Sequence, residues 1–286
     1  MPLDQVDADN MGSDGSGREM SFLDHLEELR WHIIRGLLAV VVGGIVLFIF
    51  QDWLFNSVIF GPKNENFISY RVFCWISQEL RLGEAMCMRP PKFTVQTVGV
   101  GEPFITAIKV SMIGGVVIGF PFIFWEIWKF IRPGLYPKER NATNGAVFVC
   151  SILFIVGVLF GYFIVSPFGL RFLVGYSIPG VSNNPTLSSM INYMIMFTLP
   201  SGLIFELPVV VYVLSRIGLV TPADMRKYRR HAIVAILIIA GVLTPPDAVT
   251  QFLVGIPLLV LYEVSILISA RVAKQLAKKE KEESLT

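Results

Sequence analysis

Long apolar runs, cut by short charged segments, constrain this chain more than any other feature. An α-helix rises about 1.5 Å per residue, so roughly 20 apolar residues cover the ~30 Å hydrocarbon core of a bilayer. Runs at about 33–53, 104–128, 144–165 and 190–214 meet that length, as does a last run from the turn at 244–247 to about 269. A further run, 232–243, covers only about 18 Å. Hydrophobic residues make up 53% of the 286 and charged residues only 16%, more apolar surface than a soluble domain of this size needs. The runs do not alternate in polarity, which excludes a transmembrane β-barrel. The expectation is an all-α polytopic membrane protein with six transmembrane helices.

Charge sets the topology. Lys129, Arg132, Lys138 and Arg140 crowd the 129–140 loop, and Arg216, Arg226, Lys227, Arg229 and Arg230 crowd the next loop on that side. The tail adds Arg271, Lys274, Lys278, Lys279 and Lys281, and the N-terminal segment Arg18, Arg30 and Arg35. On the other side, Arg171 is the only Lys or Arg of the 166–189 loop, and the remaining cations lie in the long 54–102 loop, where the positive-inside rule is weakest. Both termini are therefore expected in the cytoplasm. The chain divides into a polar tail at 1–20, read as disordered and without the features of a signal peptide, a membrane domain at 21–270, and a basic tail at 271–286.

Ser21 is expected to cap a helix in which Phe22, Leu26, Leu29 and Ile33 form one apolar stripe. Asp24, Glu27 and Glu28 then face the other way, and the helix is expected along the inner membrane surface. Residues 67–82 mix aromatic and charged side chains and suit a surface helix under or beside the membrane. Cys74 and Cys87 share that outside loop; an oxidising compartment would let them bridge, but spacing alone does not decide it. Cys150, inside a span, reads as a small apolar filler, and Trp53 as an interfacial anchor.

No phosphate-binding loop, zinc pair or nucleophile elbow occurs, so no enzyme, cofactor or metal is expected. Work done by such a chain would draw on a source other than ATP, such as the proton gradient. Glu206, between Phe205 and Leu207 in mid-span, stands out most. A charged carboxylate there is costly, so it must face protein or water, find a partner or bind a proton. Glu263 in the last run is a weaker case of the same kind. Lys109 can snorkel to the outer interface and is a poor partner for Glu206.

Four segments carry a resemblance. His25-Leu-Glu-Glu-Leu-Arg30, Phe130-Ile-Arg-Pro-Gly-Leu-Tyr-Pro-Lys-Glu-Arg140, Phe205-Glu-Leu-Pro208 and Thr244-Pro-Pro-Asp-Ala-Val-Thr-Gln251 resemble the TatC family, in the family's order. That family is the multispanning receptor subunit of the twin-arginine protein translocase. The resemblance implies a concave, glove-like arrangement of six helices with the last two short, in a cell inner membrane. It implies twin-arginine signal peptides of folded precursors as ligands, small single-span TatA/TatB-type subunits and further copies of the chain as partners, and no nucleic acid. By motif, Glu28, Arg30, Phe130 and Glu139 fall in the signal-peptide site, Glu206 matches the family's membrane-embedded glutamate, and Asp247 and Gln251 its last outside turn. Two departures stand out: Trp31 and His32 follow Arg30 where relatives often carry basic residues, and the first outside loop is longer than usual. The rival reading is a proton-coupled small-solute transporter using Glu206, which predicts an inverted repeat that the chain does not display. A purely structural scaffold would leave Glu206 and the loop acids without purpose.

Overall fold

The computed structural model describes residues 22–79, 81, 87, 90, 93–131, 143–176, 178–179, 183–244 and 248–283. The 1–20 segment, Glu139 with most of its loop, and Asp247 lie outside the described residues. Among the described residues five helical stretches are long and apolar enough to cross a membrane: Leu26–Ile49, Glu102–Phe130, Val147–Gly175, Leu187–Arg216 and Thr250–Lys278.

The first is carried by α1 (Phe22–Ile49), a single 28-residue helix. The separate surface helix expected before residue 33 does not form, because no Pro or Gly stands between Phe22 and Arg35 to break the ladder. At about 42 Å, α1 exceeds the hydrocarbon core, and its acidic first turns project from one end. After the short α2 (Gln51–Trp53) and a π-helical turn at Leu54–Ile59, α3 (Ile68–Glu79) forms. Cys74 on α3 is bridged to Cys87, with the Cα atoms 4.1 Å apart. Burial pushes the Tyr70 hydroxyl up to about 12, so it stays a donor, here to the Pro62 carbonyl at 2.7 Å.

α4 (Glu102–Ile131) lies against α1 in the most extensive helix pairing of the molecule. Small residues permit the approach: a Cβ on Gly115 would stand 2.5 Å from the Val40 carbonyl oxygen. Without a hydrophobic drive between helices in lipid, such close backbone contact is what holds them. The third span joins α5 (Thr143–Phe160), a π-helical turn at Gly161–Val165 and α6 (Ser166–Gly175), so it runs past the expected end at 165. It packs on α7 (Leu187–Phe205), again through glycine, since a Cβ on Gly161 would meet the Phe197 carbonyl oxygen at 2.5 Å.

The fourth span is interrupted. α7 stops at Glu206 and α8 (Leu207–Arg216) resumes at once, with Pro208 in its first turn. Proline has no N–H to give to the residue four back and its ring crowds that carbonyl, which kinks or breaks a helix; α7 passes Pro200 unbroken, but at Pro208 the ladder is interrupted. α9 (Pro222–Lys227), capped by the Thr221 hydroxyl accepting from the Asp224 amide, leads into α10 (Arg229–Leu243). α10 has 15 residues and measures about 22 Å. α11 (Ala248–Glu283) is not short as expected. It has 36 residues, because the helix-favouring basic tail continues it. On the side opposite the α1 N-terminus, Glu102 ties two spans together: its carboxylate accepts from the Val98 amide and the Ser188 amide, both at 2.8 Å.

Candidate functional site

The end of the molecule where α1 begins and α4 finishes holds a compact ionic cluster. Its centre is Glu126, 2% exposed. The His32 ring nitrogen Nδ1 lies 2.6 Å from one Glu126 oxygen, Lys129 Nζ donates to the other at 3.0 Å, and Arg35 stands 3.8 Å away. A carboxylate taken out of water costs several kcal/mol unless it is paired, and three basic side chains converge to offset that here. Charge-assisted bonds of this length are the strong kind. Lys129 also sits over the Trp125 ring at 3.7 Å.

His32 connects this buried acid to two residues named above. Its Nε2 lies 4.0 Å from a Glu28 oxygen one turn back, and the Phe130 ring meets its ring edge-on at 6.3 Å between centroids. The cluster thus gathers Glu28, part-exposed on α1, and Phe130, one residue before the end of α4. Arg30 is exposed and, two positions from Glu28, lies on the opposite side of α1. Glu126 went unread in the sequence. The reasoning that singled out Glu206, a carboxylate within an apolar run, applies to it as well.

Glu206 occupies the break between α7 and α8 and is 8% exposed. Neither of its carboxylate oxygens has a hydrogen-bond partner among the described residues. The buried Cys150 thiol and the Phe154 backbone face it without reaching hydrogen-bonding geometry. Lys109 is engaged elsewhere, its Nζ donating to Asn192 Oδ1 at 3.0 Å. Glu263 differs: it is half exposed and paired with Arg229. Gln251 is a packing residue, with its Nε2 donating to the Leu237 carbonyl at 3.0 Å and so tying α11 to α10. Among the described residues no group of three or more His, Cys, Asp or Glu gathers to hold a metal.

The sequence profile of one family, Sec-independent protein translocase protein (TatC), matches residues 24–257. The chain is 36% identical over 259 residues to the Sec-independent protein translocase protein TatC of Blattabacterium sp. subsp. Periplaneta americana, covering 90% of this chain and 97% of the relative. It is 32% identical to TatCy of Bacillus subtilis, covering 88% and 89%. A crystal structure of the twin-arginine translocase receptor TatC in DDM superposes with a TM-score of 0.66 at 30% identity, covering 86% of this chain and 99% of that one.

Proposed function

The chain belongs to the TatC family of Sec-independent protein translocases, and from that premise we propose that it is the signal-peptide receptor of a twin-arginine translocase. It is a multi-pass membrane protein of that transport system. In the orientation proposed, both termini and the Glu28 end face the cytoplasm of a cell whose inner membrane it spans. The basic loops support this, as does the Cys74–Cys87 bridge, since disulfides persist on an oxidising side. α10 serves as a short fifth span, completing six helices in a concave, glove-like arrangement.

One observation carries the recognition step: an accessible carboxylate, Glu28, is held beside Phe130 by His32 at the end of α4, which leads in sequence to Glu139. Each arginine of a twin-arginine signal presents a planar fork of donors that pairs best with a carboxylate. Glu28 and Glu139 provide those carboxylates and Phe130 packs on the signal's apolar part, while Arg30, on the other side of α1, adds positive charge to this end of the molecule without touching the bound arginines. The surrounding cations deter unspecific basic ligands. Cargo binding then recruits single-span TatA/TatB-type subunits to Glu206, and further copies of the chain complete the complex. Folded cargo crosses using the proton gradient, without enzymatic chemistry by this chain.

The test is co-purification with a twin-arginine precursor against a twin-lysine control. The wild type is expected to retain only the former. Glu28→Ala/Glu139→Ala is expected to lose it while keeping its helicity, and Glu139→Asp to lose less than Glu139→Ala. Equal retention by wild type and double variant would remove both acids from the site. A transporter of small solutes would show no preference between the two signals.

A further inference from the structure

The helix α3 has a face that the receptor function does not use. Phe67, just before it, together with Tyr70 and Phe73, turns inward onto Tyr162, Phe163 and Phe168 of the third span. Phe67 stacks on Phe163 with centroids 5.4 Å apart, and Phe73 meets Phe168 edge-on at 5.1 Å. Ile68, Val72 and Trp75 follow one another at spacings of four and three, which places them about 180° round the helix from that inward face. They are 60%, 45% and 64% exposed. Arg71 and Gln78, both exposed, share one flank between the two faces.

The depth of this helix can be read from the span it packs on. Counting from Val147, where the third apolar stretch begins, Phe163 lies about 24 Å along the helix and Phe168 about 31 Å. The hydrocarbon core is about 30 Å thick. The aromatic seat of α3 therefore lies at the far boundary of the bilayer, opposite the Glu28 end. Ile49 at the outer end of α1, Phe50 after it and Trp53 at the end of α2 are likewise exposed.

We propose that α3 is an interfacial membrane anchor, with Ile68, Val72 and Trp75 set into the far leaflet and Arg71 at the level of the lipid phosphates. The Cys74–Cys87 bridge fastens the loop that follows to this anchored helix. Three side chains make too small a patch for a stable protein interface, which takes about 800 Å² from each partner. A Trp beside a basic flank is instead the composition favoured where hydrocarbon meets headgroups.

The test uses the full chain in phosphatidylethanolamine–phosphatidylglycerol vesicles. Emission from Trp75 is isolated as the difference between wild type and Trp75→Phe. Lipids brominated near the headgroup end of their acyl chains are expected to quench most of it, well beyond the quenching by aqueous iodide. Ile68→Trp in the Trp75→Phe background moves the reporter along the same stripe and is expected to behave alike. Quenching by iodide that equals or exceeds that by bromolipid would place the face in water. Protection from both quenchers would mean that protein covers it. Either result overturns the anchor.

Discussion

His32 and Glu126 form a pair whose two members are of little use singly. Removing His32 strips a buried carboxylate of its shortest contact, at a cost of roughly 1–3 kcal/mol. Removing Glu126 leaves His32, Lys129 and Arg35 without their shared acid. His32→Ala and Glu126→Ala are each expected to lower thermal stability in detergent, and the double variant to cost about as much as the worse single one, as for residues in contact. The same variants are expected to weaken signal binding, because Glu28 and Phe130 both rest on the His32 ring. Additive losses of stability would show that the two act apart. Glu206 obeys a different logic, as its oxygens have no hydrogen-bond partner among the described residues. On the function proposed, a single-span subunit completes it. Glu206→Gln keeps the size and a donor and is expected to preserve contact with a single-span subunit. Glu206→Leu is expected to abolish it while sparing signal binding at the other site. Cross-linking from position 206, with and without precursor, reads both. Full export by the Leu variant without any cross-link would reduce Glu206 to a tolerated polar residue.

At the scale of elements, length governs. On the proposal that α10, about 22 Å long, is the fifth span, the bilayer beside it, with a core of about 30 Å, is expected to thin or the helix ends to be drawn in. Four leucines inserted after Ile238 add about 6 Å and relieve most of that mismatch. If thinning helps cargo to cross, export by the insertion variant falls while the complex still assembles on a native gel. Undiminished export would detach thinning from function. The break between α7 and α8 belongs to this scale too. Pro208 ends the hydrogen-bond ladder where Glu206 sits, so the acid occupies a helix junction and not a smooth helix surface.

Across the whole molecule, the proposed orientation puts Lys63 and Lys274 on opposite sides of the membrane. In intact cells a membrane-impermeant maleimide is expected to label Lys63→Cys and to reach Lys274→Cys only after permeabilisation, with Cys150 replaced by Ala in both. Reversed labelling would invert the topology and move the Glu28 cluster to the outside. The two ends are also built differently. One is held by the ions around Glu126, the other by Glu102 bridging two spans and by the Cys74–Cys87 bond.

The apolar runs by themselves determined that this chain is a bundle of membrane helices, because hydrocarbon admits only segments that satisfy their own backbone. Glu206 and the four family segments were equally plain, since a mid-span carboxylate and fixed motifs need no partner to be read. That the amphipathic 22–33 helix would run unbroken into the first span was not read, as a stripe pattern does not tell a surface helix from the protruding end of a span. The Cys74–Cys87 bridge and the Lys109–Asn192 bond were out of reach, since each depends on how distant segments meet. Glu126 illustrates the division. Its place in an apolar run was visible, but its partner His32 lies 94 residues away, and only the close α1–α4 approach allowed by Gly115 brings the two within 2.6 Å.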